Sequence, residues 1–169
     1  MSYIKSVCVY CGSSNTSNPA YDAPTIELGQ SIAAQGLTLV YGGGNPCLMG
    51  KVSDSCFKAG GKVIGIIPDH IRQMEPQNQD LTELHVVDNM HIRKQMMAER
   101  ADAFVIMPGG FGTLDEAFEI LTWKYLEIHN LPIIIANING FWDPLLTLIN
   151  HMRENGFVRE AHMSAFIVA

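Results

Sequence analysis

Short apolar runs alternate with stretches of helical spacing along the whole chain. Several of the apolar runs contain no polar residue, which is typical of strands in a parallel sheet that is covered on both faces. They predict strands at Ile4–Tyr10, Thr38–Tyr41, Lys62–Ile67, Leu84–Val87, Ala103–Met107, Pro132–Ala136 and Ala165–Val168. The stretches between them predict helices over Tyr21–Gln35, Leu48–Ala59, Met90–Ala101, Thr113–His129 and Pro144–Asn155. Gly36, Gly60 and Gly156 follow three of these helices, at positions where a glycine commonly ends a helix.

This alternation predicts an α/β fold, namely a Rossmann-like, doubly wound parallel sheet flanked by helices. No linker, repeat or low-complexity segment interrupts the pattern, so we expect a single domain over residues 1–169. In the usual strand order 3-2-1-4-5-6, a ligand binds at the carboxyl ends of the strands, near the junction of strands 1 and 4. One long irregular stretch, Pro68–Leu81, is either a lid or a surface loop.

Charge and hydropathy exclude two classes of partner. The chain carries a formal net charge of −6 and has no basic stripe, which argues against nucleic-acid binding. No apolar stretch reaches the ~20 residues of a membrane span, so we expect no membrane contact. The N-terminus has no signal-peptide pattern, and we therefore expect a cytoplasmic protein.

The cysteines and histidines do not indicate a metal or redox site. Cys8 and Cys11 form a C-x-x-C pattern, but an odd offset along a strand directs their side chains to opposite faces. We therefore interpret them as core and loop residues. The histidines form no H-E-x-x-H pattern, and no metal site is expected.

The stretch Pro108–Glu116 reads PGGFGTLDE and follows a predicted strand. Its glycines allow a ligand to approach the backbone, and the unpaired N–H groups at a helix start attract phosphate. We expect the amides of Gly110 to Thr113 and the Thr113 hydroxyl to hold a phosphate. Glu116 lies one turn into the helix, so its carboxylate can reach the group to which the phosphate is attached.

Other candidate residues follow other strands at the same edge of the sheet. Ser14 follows the first strand and Gly43 the second, while Met90, Arg93 and Lys94 follow the fourth. Each has an ordinary structural explanation on its own, such as a helix cap, a turn glycine or an exposed charged pair. Their common location favours a binding site, because the carboxyl ends of parallel strands meet at one edge.

A carboxylate beside a bound sugar phosphate suggests cleavage of an N-glycosidic bond. Such cleavage passes through an oxocarbenium-like state that a carboxylate stabilises. Glu116 could also orient the attacking water or hold ribose hydroxyls. Arg93 could pair with Glu116, hold a ribose hydroxyl or assist the leaving base, and Lys94 could supply a second charge near the phosphate. The residues alone do not rank these roles.

Several motifs in this order resemble the Lonely Guy family of cytokinin riboside 5′-monophosphate phosphoribohydrolases, often described as possible lysine decarboxylases. The family motif P-G-G-x-G-T-x-x-E is intact at Pro108–Glu116, and M-H-x-R-K is intact at Met90–Lys94. C-G-S-S and Y-G-G-G stand at Cys11–Ser14 and Tyr41–Gly44. The family commonly has glycine at the position of Cys47.

The resemblance implies a Rossmann-like homodimer that hydrolyses an N6-modified adenosine 5′-monophosphate to the free base and ribose 5-phosphate, without a cofactor. It implies that Arg93 and Glu116 are the catalytic pair. The remaining implied substrate contacts are Glu75, Lys94, Gly110, Phe111, Gly112, Thr113, Leu114, Asp115 and Thr122.

Three other functions are considered. A decarboxylase using pyridoxal phosphate needs a Schiff-base lysine, and only Lys94 lies near the predicted site. A general purine or pyrimidine nucleotide 5′-monophosphate nucleosidase would share the same machinery and differ in its base pocket. A non-catalytic module that binds a nucleotide or cofactor would not need the Arg93 and Glu116 pair.

The helix predicted at Thr113–His129 also indicates an assembly surface. Its apolar residues spread over more than the ~100° that one core-facing side requires. These residues are Phe118, Leu121, Trp123, Tyr125 and Ile128. A two-fold interface would bury such a patch against itself, so we expect a homodimer.

Overall fold

The computed structural model describes residues 4–14, 18–74 and 78–169, and it consists of one parallel sheet between two layers of helices. The strands are β1 (Ser6–Tyr10), β2 (Thr38–Tyr41), β3 (Lys62–Pro68), β4 (Glu83–Val87), β5 (Ala103–Ile106), β6 (Ile133–Ile135) and β7 (Ile167–Val168). The helices are α1 (Asp22–Ala34), α2 (Cys47–Lys58), α3 (Asp69–Met74), α4 (Met90–Glu99), α5 (Phe111–Tyr125) and α6 (Asp143–Glu154). The predicted doubly wound α/β fold is confirmed.

The strand order is β4-β3-β2-β1-β5-β6-β7. The predicted order placed the fourth strand beside the first, and this part of the prediction was wrong. β5, and not β4, pairs with β1, with Val7 opposite Ala103. The reason is that α3 carries the chain outward from β3 to β4, and only α4 returns it across the sheet to β5. The junction at which the winding reverses therefore lies between β1 and β5.

Alternate residues of each central strand pack into two separate cores. Val7 and Val9 of β1, together with Cys11 after it, belong to the core that contains residues of α1 and α2. Cys8 and Tyr10 belong to the core that contains residues of α4 and α5. The prediction that the two cysteines face opposite sides is confirmed, and both thiols are free.

The element boundaries depart from the predictions mainly where elements are short. The stretch Pro68–Leu81 contains α3, whose six residues are too few to show an apolar stripe in the sequence. The last predicted strand is shortened to Ile167–Val168, because Glu160–Ala165 forms a 3₁₀ turn. Helix α5 ends at Tyr125, and Glu127 just beyond it has a positive φ of 61°.

Within the described ranges, no helix is long and apolar enough to cross a bilayer.

Candidate active site

A cleft of about 590 Å³ opens at the carboxyl ends of the central strands, beside the junction of β1 and β5. This volume lies within the range of about 300–1,000 Å³ that is usual for small-molecule sites. The cleft is lined by Cys11, Gly12, Ser13, Ser14, Asn18, Tyr21, Gly42, Leu48, Met49, Ile71, Met90, Arg93, Pro108, Gly109, Gly110, Phe111, Gly112, Thr113, Glu116 and Phe141. It therefore brings together the loops that follow β1, β2 and β5 and the first turns of α4 and α5.

Arg93 is a buried cation held by backbone carbonyls of two neighbouring strand ends. Its Nε donates to the carbonyl oxygen of Ile66 in β3 at 3.1 Å. Its Nη2 donates to the carbonyl oxygen of Gly42, which follows β2, at 3.0 Å. The third nitrogen, Nη1, lies 3.8 Å from Oε1 of Glu116. The guanidinium is thus fixed by the sheet on one side and directed at a carboxylate on the other.

Glu116 is also buried, with 5% of its surface exposed. Burial raises the pKa of this carboxyl to about 7, against the lowering effect of the nearby Arg93 guanidinium. The separation from Arg93 is too long for a hydrogen bond. The two groups therefore attract each other electrostatically, but Arg93 donates no hydrogen bond to the carboxylate. A carboxyl poised near neutral pH in a cleft is a feature of catalytic sites.

The glycines between β5 and α5 have two different roles. A Cβ on Gly109 would overlap the Thr113 side chain, so this glycine allows the loop to pack on its own helix. A Cβ on Gly110 or Gly112 would meet nothing within 4 Å, because the backbone there faces open space. Helix α5 begins at Phe111, and the first amides of a helix have no partner within it. The loop therefore presents free amides to the cleft, as an anion site requires.

Four of the predicted substrate contacts lie together at a second location, outside this cleft. Lys94, Leu114, Asp115 and Thr122 line a separate depression between α4 and α5. The Lys94 amine lies 3.0 Å from an Asp115 carboxylate oxygen and 3.1 Å from one of Glu119. Each residue of a helix is rotated by about 100° from the one before it, so the neighbours of Arg93 and Glu116 face another direction.

The remaining predicted contacts are distributed as follows. Ser14, Met90, Phe111 and Thr113 line the cleft, and the Phe111 ring is almost fully exposed at its mouth. Gly43 does not line the cleft; it has a positive φ of 76° and packs against β3. Glu75 lies outside the described residues.

The apolar walls of the cleft contain residues that the sequence motifs did not predict. Tyr21 and Phe141 contact each other edge to face, with ring centroids 5.4 Å apart, and both line the cleft. Tyr21 lies between β1 and α1, and Phe141 follows β6. Their position after the end of a strand was a signal from which both could have been predicted. Ile71 of α3 also lines the cleft, and the apolar residues of this short helix give no detectable period.

Comparison with known proteins gives both a family and a fold. The family described as "Possible lysine decarboxylase" matches residues 49–169. The chain is similar to the cytokinin riboside 5′-monophosphate phosphoribohydrolase of Rhodococcoides fascians, with 43% identity over 165 residues that cover 97% of this chain and 83% of that protein. It is 40% identical, over 98% of its length and 72% of the relative's, to a probable cytokinin riboside 5′-monophosphate phosphoribohydrolase of Oryza sativa subsp. japonica. The solved structure of the molybdenum cofactor binding protein from Rippkaea orientalis has a TM-score of 0.73 and 22% identity, covering 100% of this chain and 91% of that one, which is a likeness of fold.

Proposed function

The chain belongs to the family described as possible lysine decarboxylases, whose members include the cytokinin riboside 5′-monophosphate phosphoribohydrolases, and from this membership we propose that it is a phosphoribohydrolase. It hydrolyses the N-glycosidic bond of an N6-modified adenosine 5′-monophosphate. The products are the free base and ribose 5-phosphate.

The observation that carries this proposal is the buried pair of Arg93 and Glu116 beside an open glycine loop. The loop holds the 5′-phosphate on the amides of Gly110 to Thr113, at the positive end of the α5 dipole. The ribose then lies over the first turn of α5, next to Glu116. As the bond to the base breaks, positive charge develops at the anomeric carbon, and the Glu116 carboxylate stabilises it.

Arg93 favours the charge state of Glu116 that the reaction needs. Its positive charge favours the ionised form of Glu116, which burial alone would oppose. Water then attacks the anomeric carbon, and the base leaves with the electron pair of the broken C–N bond. The proton that the water loses is, in the net reaction, the one that the base takes up. Phosphate binding at one end of the substrate fixes the position of the reacting bond at the other.

The decarboxylase description does not fit the chemistry of the residues. A Schiff-base lysine must offer an unprotonated amine to the cofactor. Lys94 does not line the cleft, and its amine contacts Asp115 and Glu119. Burial lowers the pKa of Lys94, but hydrogen bonds and attraction to these two carboxylates outweigh it, and the net shift is upward. The amine therefore stays charged.

A non-catalytic binding module is the rival from another class. The molybdenum cofactor proteins share the fold at 18% and 22% identity, and this likeness extends to the fold alone. A binder needs the glycine loop but has no use for a buried carboxylate whose pKa is raised to about 7 beside the sugar. This carboxylate favours the enzyme.

The test is incubation with N6-isopentenyladenosine monophosphate, AMP and a pyrimidine monophosphate, followed by measurement of ribose 5-phosphate. The proposal expects release from the N6-modified substrate in preference to the others. Equal release from all three would indicate a general nucleotide nucleosidase. Tight binding of the nucleotides without release would indicate a binding module.

The assembly, location and domain organisation of the chain are also proposals. Three members of the predicted patch, Phe118, Tyr125 and Ile128, are exposed, and Leu126 beside them is exposed as well. The other two members, Leu121 and Trp123, are half-buried. Such a patch supports a homodimer with a two-fold interface over α5. The buried, reduced thiols of Cys8, Cys11 and Cys56 support a cytoplasmic location. The seven strands of the described residues form one sheet, which supports a single domain.

A further inference from the structure

The guanidinium of Arg93 lies directly on the backbone of Gly42. Nη2 donates to the Gly42 carbonyl oxygen at 3.0 Å, and the Ile66 carbonyl receives Nε at 3.1 Å. Two donors directed to two strand ends leave the group little rotational freedom. These two bonds hold Nη1 3.8 Å from Glu116, and Nη1 also lies 3.8 Å from Sδ of Met90.

Gly42 leaves the space that this arrangement occupies. A Cβ at Gly42 would overlap Arg93 Nη2 and would lie 3.1 Å from Arg93 Cζ. The next nearest atom, Cε of Met49, is at 3.5 Å, which is an ordinary contact. Gly42 does not have a positive φ, so its φ does not exclude alanine. A methyl group here therefore displaces the end of one side chain and leaves the rest of the fold in place.

We propose that Gly42 is a positioning residue for the hydrolysis, since its carbonyl and its missing side chain together direct Arg93 at Glu116. This inference rests on the proposed function for its rate measurements. Gly42 thereby sets the geometry of the Arg93–Glu116 pair. This role differs from contact with the phosphate and from the need for a glycine in a turn.

The first experiment is the Gly42→Ala substitution. We expect turnover to fall on the order of 10²-fold, because the Glu116 carboxylate that stabilises the transition-state charge loses the guanidinium that favours its ionised form. Moving the guanidinium away from Glu116 removes the interaction that lowers the pKa of this carboxyl, so the acid limb of the kcat/KM profile should move to higher pH. A merely structural role for Gly42 would not move that limb.

The matched control is the same substitution made in the Arg93→Ala background. With the guanidinium absent, the methyl group fills vacated space, and Gly42→Ala should change the remaining rate by no more than about twofold. If Gly42→Ala alone folds poorly, Arg93→Ala should restore its melting temperature, because it removes the overlap. The inference would be overturned if Gly42→Ala lowered turnover by the same factor with and without Arg93. It would also be overturned if the Gly42→Ala variant kept nearly the turnover of the unmodified protein.

A titration separates this inference from the proposed function. The carboxyl carbon of Glu116, followed by NMR against pH, should titrate at higher pH in Gly42→Ala than in the unmodified protein. This measurement needs no substrate. Absence of ribose 5-phosphate release by the unmodified protein would overturn the function, whereas an unmoved Glu116 titration would overturn the role of Gly42.

Discussion

Replacing Glu116 by glutamine removes a charge that serves catalysis and opposes folding. Glutamine keeps the size of the side chain and most of its hydrogen-bonding capacity, so the nucleotide should still bind. The negative charge that stabilises the oxocarbenium-like state is lost. We expect turnover to fall by a factor on the order of 10²–10⁴.

The same substitution should change how stability depends on pH. Burial raises the pKa of Glu116 from 4.5 to about 7, so between these values the folded protein binds a proton that the unfolded chain has released. Stability therefore falls as pH rises through this window, and the ionised form is the costly one. At 1.36 kcal/mol per pKa unit, the shift costs the unmodified protein about 2–3 kcal/mol between pH 5 and pH 8. The Glu116→Gln variant, which has no carboxyl to ionise here, does not lose this stability between pH 5 and pH 8.

The assay is thermal unfolding of both proteins at pH 5 and pH 8, alongside turnover measurements. Relative to the unmodified protein, Glu116→Gln should gain about 5–10 °C in Tm between pH 5 and pH 8. Glu99→Gln is the matched control, because Glu99 is an exposed carboxylate on α4, and it should show no such gain. A parallel pH dependence of Tm in Glu116→Gln and the unmodified protein, or near-normal turnover in the variant, would refute the assigned charge state and role.

Other measurements test the remaining proposals. Activity of the unmodified protein should depend on ionised Glu116, so kcat/KM should decline as pH falls below about 7; a flat profile between pH 5 and pH 8 would contradict this. The free nucleoside should be a far poorer substrate than its 5′-monophosphate in both kcat and KM, and equal activity on both would remove the phosphate anchor. Gly112→Ala should not destabilise the fold, because its Cβ meets open space, yet it should weaken nucleotide binding in titration calorimetry; unchanged binding would place the phosphate elsewhere. Light scattering should give twice 18.6 kDa, and a value near 18.6 kDa would contradict the homodimer.

The local sequence pattern was sufficient to predict most of the architecture. Unbroken apolar runs are required of a strand that is buried on both faces, and the alternation of Cys8 and Cys11 follows from the period of a strand. The positive φ of Gly36, Gly60 and Gly156 is likewise a local requirement of helix ends. Cys47 also has a positive φ, 53°, at the position where the resembling family has glycine.

The sequence by itself determined the class of fold, the edge of the sheet at which the loops meet, and the candidate pair of Arg93 and Glu116. These depend on periodicity and on motifs contained within single segments. The tertiary structure alone decided that β5 lies beside β1, that Lys94 faces Asp115 and not the cleft, and that Gly42 and Ile66 hold the Arg93 guanidinium. It also decided the raised pKa of Glu116. These features arise between segments distant in the chain, because helix rotation, crossover path and burial depend on which elements pack together.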